Sequence, residues 1–487
     1  MCGYDYLKEI GMIKKHFSNF LRYAVIIFLA ITTLGSIGRI YFPFNLSTFI
    51  HQSIILIILL ILFVYFYKKH MNGWFKSLDK FLSGNNLWII LLIAFTLRLL
   101  WIIVVPTIPS SDFNLMYEYA GVASQGEFYG FKGTSYFARF AHDIITVLYF
   151  SLFYKFTSNP LWWVKFFNVI FSTLSVYFIY LLLKELFNKN RAVLGALLLA
   201  LYPPYIMFTS ETMSENMAIP FYILSIYLFI KTLKSEKKHW LLLVSGICLS
   251  LGNMFRMVGL IVIIAYGVYL FIYKGFNKGI KSTSLLIIGF ILPMYITSTL
   301  LISSGITEAH IWQSKESNIT SILKGTNFKY YGRWNPEDAQ LPIDYNHDSE
   351  KIEAASKAII KERFQKASAG EIGTFYLTKL ILQWSIGDFD AVTWTVESSV
   401  PTSFTNFLMK NKRFLELICS IYFIMLLILS LKKVLLNKVP EEINFFYILL
   451  GGFVLLYLIT EVQSRYSFII GWIFIIFVVA DSRRLIK

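Results

Sequence analysis

The sequence predicts an all-α polytopic membrane protein of about twelve spans. Three observations predict it. Of 487 residues, 56% are hydrophobic and only 15% are charged, with a mean hydropathy of +0.60; soluble domains carry about 25% charged residues. The apolar residues fall into runs close to the length of helix that crosses a hydrocarbon core. The charges are segregated into the connections between those runs. A net charge of +16 would suit nucleic acid. Here, however, Lys and Arg sit in short loops between spans, where they set orientation, and nucleic acid is excluded as a partner.

Taken in order, Lys8, Lys14, Lys15 and Arg22 precede a first span at about 20–42 and place the N-terminus in the cytoplasm. That apolar run is too long for a signal-peptide core, so no cleaved leader is expected. A second span at about 50–67 returns to Lys68, Lys69, His70, Lys76 and Lys80. Residues 1–86 thus read as a two-span hairpin with a cytoplasmic linker. The core, 87–303, opens with a span at about 87–105 that leads to an external loop, 106–162. The run 143–156 is short and begins at His142-Asp143, so 136–157 reads as a helix lying in the external interface. If it crossed, the basic segment 184–191 would fall outside.

Spans at about 163–183, 191–208, 214–233, 239–254, 257–273 and 283–303 follow, with the lysine-rich loops all inside. Residues 304–411 form a long external segment. It suits a small α-containing lid, with a helix from Ser349 and a second, Phe375 to Trp384, lying on the membrane. The last part, 412–487, holds spans at about 413–431, 443–460 and 466–480 and ends inside. Cys2, Cys248 and Cys419 are too scattered for a disulfide framework or a cysteine-based metal site. Zinc, P-loop and dinucleotide motifs are absent from the sequence.

This topology gathers ionisable groups at the external boundary: Asp112 and Glu118, Arg139, His142 and Asp143, Glu211 and Glu215, Arg256, Glu461 and Arg465. Charges at membrane spans are costly and usually face a cavity, a partner or a substrate. Taken alone, Asp112 reads as an ordinary solvated carboxylate and Arg256 as a snorkelling side chain. His142 has no second histidine nearby to make a metal site. Glu211 and Glu215 stand four apart and would share a helix face, one of them capping the helix from Ser214. Arg465, at the mouth of the last span, would hold a guanidinium at phosphate level, and Arg is suited to grip phosphate with two donors at once.

Several features together resemble the GT-C glycosyltransferases, in the branch of protein O-mannosyltransferases and the bacterial lipid A aminoarabinose transferase. They are Arg98 within a span, the external Asp112 followed by a tyrosine-containing helix, the run Leu199 to Pro204, the Ser210-Glu211 to Glu215 element, the Phe255-Arg256 break, and Gln463-Ser464-Arg465-Tyr466. The resemblance covers about 87–300 and 375–480. It implies a GT-C-type helix bundle in the cell membrane whose site opens to the extracytoplasmic side. The implied reaction is inverting transfer of a sugar from a polyprenyl-phosphate donor to an extracytoplasmic glycan, lipid or protein.

By the same resemblance Asp112 is the catalytic base, Glu211 or Glu215 is the second acidic site, and Arg465, with Tyr466 and Arg256, binds the donor phosphate. Tyr117, Arg139, His142 and Asp143 are the expected substrate contacts. Two departures stand out. Ser111-Asp112 replaces a pair of acids, and Ala141-His142-Asp143 replaces a His-Pro-Pro. No cofactor is required, and the question of a divalent metal stays open. The competing readings are a transporter or lipid flippase, which would bury charges mid-span in two related halves, and a scaffold without chemistry.

Overall fold

The computed structural model describes residues 2–40, 86–234, 238–436 and 439–481. It is an all-helical bundle, as the sequence predicts, and a multi-pass membrane protein. The predicted second span at about 50–67 lies outside the described residues, as do Lys237, Lys438, Arg483, Arg484 and Lys487. Among the described residues, six helices are long and apolar enough to cross a membrane: Gly11–Ile40, Leu87–Val104, Pro160–Leu186, Glu215–Leu233, Phe276–Ser303 and Lys412–Leu436. The first belongs to one continuous helix, Cys2–Ile40, so the basic residues ahead of the predicted span are helical too.

The remaining predicted spans are less uniform. Trp240–Phe255, Gly259–Lys274 and Ile443–Ile459 have 16, 16 and 17 residues. At 1.5 Å per residue each is a few ångströms shorter than a bilayer core of about 30 Å. The last predicted span is split into a tight 3₁₀ stretch, Ser464–Ile470, and a short helix, Ile473–Val479. The predicted span at 191–208 bends by 64° between Lys189–Leu201 and Pro203–Ser210.

That bend follows from sequence. Pro203 and Pro204 have no backbone N–H, so the carbonyls four residues earlier, Leu199 and Ala200, lose their α-helical donors, and Leu199 O keeps only a backbone bond from Tyr202 N at 3.3 Å. Arg98 supplies replacements. Its fully buried guanidinium donates to Leu199 O at 3.3 Å, to Ala200 O at 3.0 Å, and through Nε to Ser172 Oγ at 2.7 Å. Ser172 in turn donates to Tyr205 O at 2.9 Å. One arginine thus satisfies the broken helix and locks three elements together.

Loops that the charge pattern assigns to one side also meet in space. At one end of the bundle Lys14 Nζ donates to Tyr273 O at 2.8 Å, and Lys274 pairs with Glu441 at 3.6 Å. At the other end are the Asp112 loop, the Glu211–Glu215 element, Arg256 and Arg465. The helix Ile144–Phe156 sits at this second end, where Tyr149 contacts Phe255 at 5.7 Å between ring centroids.

The segment 304–411 is helical, including Ser349–Lys366 as expected. The helix Ala369–Trp384 departs from its expected place on the membrane surface. Its last turn is built into the bundle, with Trp384 buried between Phe28 (5.3 Å) and Tyr457 (5.9 Å). There the indole packs edge-on to Phe28 and tilted on Tyr457, aromatic pairs that add to the gain from burial. Lys379, on the same helix, is also buried and donates to Gly325 O.

Helices Trp240–Phe255 and Phe276–Ser303 cross where glycine meets glycine. A Cβ on Gly246 or Gly289 would run into backbone of the facing helix: Leu286 O for Gly246, Leu243 O for Gly289. Small residues permit such close approach in lipid. Gly289→Val is therefore expected to cost about 1–3 kcal/mol and to lower the unfolding temperature in a thermal-stability assay. Gly451→Val, where a Cβ meets nothing within 4 Å, serves as the control; equal losses in both variants would count against this crossing.

Candidate active site

Asp112 stands in the first turn of the helix Ser111–Ser124. The positive end of that helix favours a carboxylate there. The approach to it is pinned by backbone bonds. Ile108 N donates to Ser398 O at 2.8 Å, and Val400 N donates to Pro106 O at 2.7 Å. Lys165 Nζ holds the Thr107 carbonyl at 2.5 Å. Ser111 turns the chain with a positive φ of 52°, a conformation that side chains other than glycine rarely adopt. The Asp112 side chain is exposed. Tyr136 Oη donates to its Oδ1 at 2.9 Å. Burial, reinforced by the neighbouring Asp112 charge, pushes the Tyr136 hydroxyl well above the usual tyrosine range, so it stays a proton donor.

The next residue ties Asp112 to the far end of the chain. The Arg465 guanidinium lies 4.6 Å from the Phe113 ring centroid, 4.7 Å from Trp394 and 5.7 Å from Tyr466. It is 5% exposed, yet its Nε and Nη1 have no hydrogen-bond acceptor. A cation stacked on aromatic faces is attracted to them, but its N–H groups remain unspent. The position of Arg465 is fixed by its neighbours. Gln383 Nε2 donates to Gln463 O at 2.7 Å and to Ser467 Oγ at 2.8 Å. Ser464 Oγ donates to Asp390.

The two candidate acids differ in their partners. Glu215, buried, pairs with Arg256 Nε at 3.3 Å, and the Arg256 guanidinium sits 5.0 Å from the Tyr466 ring centroid. Glu211 is wholly buried. Its Oε1 accepts from Thr212 N at 2.8 Å, and its Oε2 has no partner. Burial raises the Glu211 carboxyl to about 7, against the pull of the Thr212 N–H, Lys165 and Arg465. The expected shared helix face is corrected. Glu211 has extended backbone (φ −107°, ψ 147°), and the helix begins at Glu215 with no side-chain cap from Ser214. The four-residue spacing therefore sends the two carboxylates to different cations.

Asp112, Glu211, Glu215, Arg256, Arg465 and Tyr466 thus fall at one end of the bundle, as the sequence predicts. His142 and Asp143 join them, 3.6 Å apart. Burial pushes the Asp143 carboxyl above its usual range, against the pull of His142 and Arg256. Two expected contacts are engaged elsewhere. Arg139 pairs with Glu316 at 3.3 Å, and Tyr117 packs on Tyr154 at 5.2 Å. Glu118 is exposed, and Glu461 pairs with Lys324 at 3.7 Å. Tyr136, Trp394, Asp390 and Lys165 were not predicted. Tyr136 opens the predicted interfacial helix, and Asp390 and Trp394 lie in the long connecting segment, where no periodicity marks them; Lys165 lies inside an apolar run that reads as span.

Beside the 388–395 stretch is a polar hollow of about 260 Å³, lined by Arg39, Asp388, Asp390, Arg413 and Glu416 among others. No group of three or more His, Cys, Asp or Glu among the described residues could hold a metal ion. The described side chains therefore offer no ligand set for a resident metal.

With this geometry in hand, residues 141–302 match the family model described as dolichyl-phosphate-mannose-protein mannosyltransferase. The chain thus resembles that family over this stretch. Among solved structures it is similar to an oligosaccharyltransferase of Archaeoglobus fulgidus, in complex with Zn and sulfate, at 14% identity and a TM-score of 0.44. That likeness covers 80% of this chain and 48% of the other, so the chain spans about half the length of the protein it matches. No curated protein matches it.

The raised Glu211 carboxyl has a consequence for stability. Between its usual value of 4.5 and about 7, the folded protein keeps a proton there that the unfolded chain has released. Stability is therefore lost as pH rises through that window, and the loss is complete above it. Glu211→Gln should raise the unfolding temperature at about pH 8 and change it little at about pH 4.5. An equal effect at both, measured by thermal unfolding in detergent, would contradict this account.

Proposed function

We propose that this chain transfers a sugar, with inversion, from a polyprenyl-phosphate carrier to a hydroxyl acceptor. The observation that carries the proposal is Arg465. It is a buried guanidinium with two unspent N–H-bearing nitrogens, seated on the ring next in sequence to an exposed carboxylate. Buried polar groups without partners are rare and ask for a ligand. Here the matching ligand is an anion, and a phosphate held by Arg465 puts its attached group within reach of Asp112.

The chemistry needs no nucleotide-binding fold. Asp112 accepts the proton of the acceptor hydroxyl as general base. The hydroxyl oxygen bonds to the anomeric carbon from the face opposite the phosphate. The bond from that carbon to the phosphate oxygen breaks, and polyprenyl phosphate leaves with the electron pair. Arg465 stabilises the charge that develops on the leaving oxygen, with Arg256 nearby. Glu215 already offsets much of the Arg256 charge, so Arg465 is the stronger anion site. Tyr136 holds Asp112 by one oxygen and orients the carboxylate. Glu211 is the second acid, beside Lys165 and Arg465, and tunes the field at the phosphate.

The lysine-rich loops support an extracytoplasmic site in the cell membrane, with both termini cytoplasmic. The acceptor is then a glycan, lipid or protein of the cell envelope.

Asp112→Asn should leave donor binding intact and lower turnover of a polyprenyl-phosphate sugar by at least about 10²-fold, the usual contribution of a general base. Full activity in that variant would remove Asp112 from the mechanism. Arg465→Ala should instead weaken donor affinity about tenfold or more, since charge-assisted bonds contribute about 1.5–3 kcal/mol. An unchanged binding isotherm for the variant would exclude the phosphate role.

A further inference from the structure

At the end of the bundle opposite Asp112 lies a cavity of about 350 Å³ that transfer chemistry does not use. The helix Cys2–Ile40 lines it with Lys14, Lys15, Ser18, Asn19 and Arg22. Tyr273 and Tyr447 line it from two further helices. Three cations converge there. The one acid in the lining, Glu441, is paired with Lys274 at 3.6 Å. Lys14 is partly engaged by Tyr273 O at 2.8 Å, and Arg22 reaches Leu435 O through one terminal nitrogen at 3.4 Å.

Two polar atoms in this lining are buried without any partner: Arg22 Nε and the hydroxyl of Tyr447, a side chain only 2% exposed. The guanidinium nitrogen can only donate, and the phenol can donate. A buried donor left unmade costs free energy. Two of them facing one basic hollow call for a ligand that is anionic and accepts several hydrogen bonds. Phosphate oxygens meet both requirements.

The surroundings indicate where that phosphate comes from. Ile13, Phe20, Tyr23 and Ile27 on the same helix, and Leu435 and Leu436 beside it, are more than half exposed. In a membrane protein such side chains face acyl chains. We propose that this cavity is a binding site for the phosphate of an anionic phospholipid, whose tails lie along Phe20, Ile27 and Leu436. The proposal is independent of the transferase reading. It uses no residue near Asp112 or Arg465.

The test uses the purified full chain in detergent, titrated with phosphatidylglycerol, phosphatidylcholine or glycerol phosphate while thermal stability is followed. Phosphatidylglycerol should stabilise the chain at lower concentration than phosphatidylcholine. Lys15→Ala and Arg22→Ala should each weaken that preference by roughly fivefold, the effect of losing one cation near an anionic headgroup. Tyr447→Phe, which keeps the ring, should weaken it while leaving the lipid-free unfolding temperature close to that of the parent. If Arg22→Ala does not fold, Lys15→Ala, at an exposed residue, and Tyr447→Phe carry the test. Equal stabilisation by the two lipids, or an anionic preference unchanged in the variants, would overturn the site. Saturation by glycerol phosphate at the same concentration as phosphatidylglycerol would overturn the lipid assignment and leave a soluble phosphate as the ligand.

Discussion

The architecture at the Asp112 end depends on where one guanidinium is kept. Arg465 is removed from water, stacked on Phe113 and Trp394, and given no carboxylate partner within hydrogen-bond reach. Burying a cation in this way is costly. The cost is tolerable because three separate stretches of chain hold it: the helix Ser111–Ser124, the short helix Ala391–Thr395, and the broken last helix. The aromatic faces offset part of the lost hydration. The remaining demand for an anion is what makes the place a site.

Around that arginine, charge is arranged so that each cation has a graded commitment. Arg98 spends its donors on the carbonyls that Pro203 and Pro204 leave exposed, and so is structural. Arg256 is committed to Glu215. Lys165 is committed to the Thr107 carbonyl and senses Glu211 through space. Arg465 alone among these four is left with buried nitrogens lacking an acceptor. The same logic recurs at the opposite end. There Arg22 and Tyr447 keep unspent donors beside a hollow, while Lys14 and Lys274 are engaged. In a bundle with so few charged residues, partnering discriminates ligand-binding groups from structural ones better than position does.

The helix breaks serve the same end. The 64° bend after Leu201, the 3₁₀ stretch Ser464–Ile470 and the short paired helices around Arg256 all place irregular backbone at the site. Non-helical backbone at membrane depth is tolerated only where protein or a cavity satisfies it. The expected spans at 191–208 and 466–480 are accordingly bent or split. Hydropathy measures length and apolarity, and is blind to prolines answered by a distant arginine.

Composition and charge segregation determined that this is an all-helical multi-pass membrane protein, because both follow from the cost of exposing polar backbone to lipid, which depends on sequence locally. The pattern of lysines also groups the loops by end, with Asp112 and Arg465 in one group. What only the tertiary structure decided is how each charge is answered. Glu211 and Glu215 look equivalent as letters, but an extended residue and a helix start send one toward Lys165 and Arg465 and the other to Arg256. Tyr136 and Trp394 carry no periodic signal, yet they hold the base and floor the guanidinium. Partnering is a property of distances of a few ångströms between residues hundreds of positions apart, and those distances are set by packing, which no local reading of the chain contains.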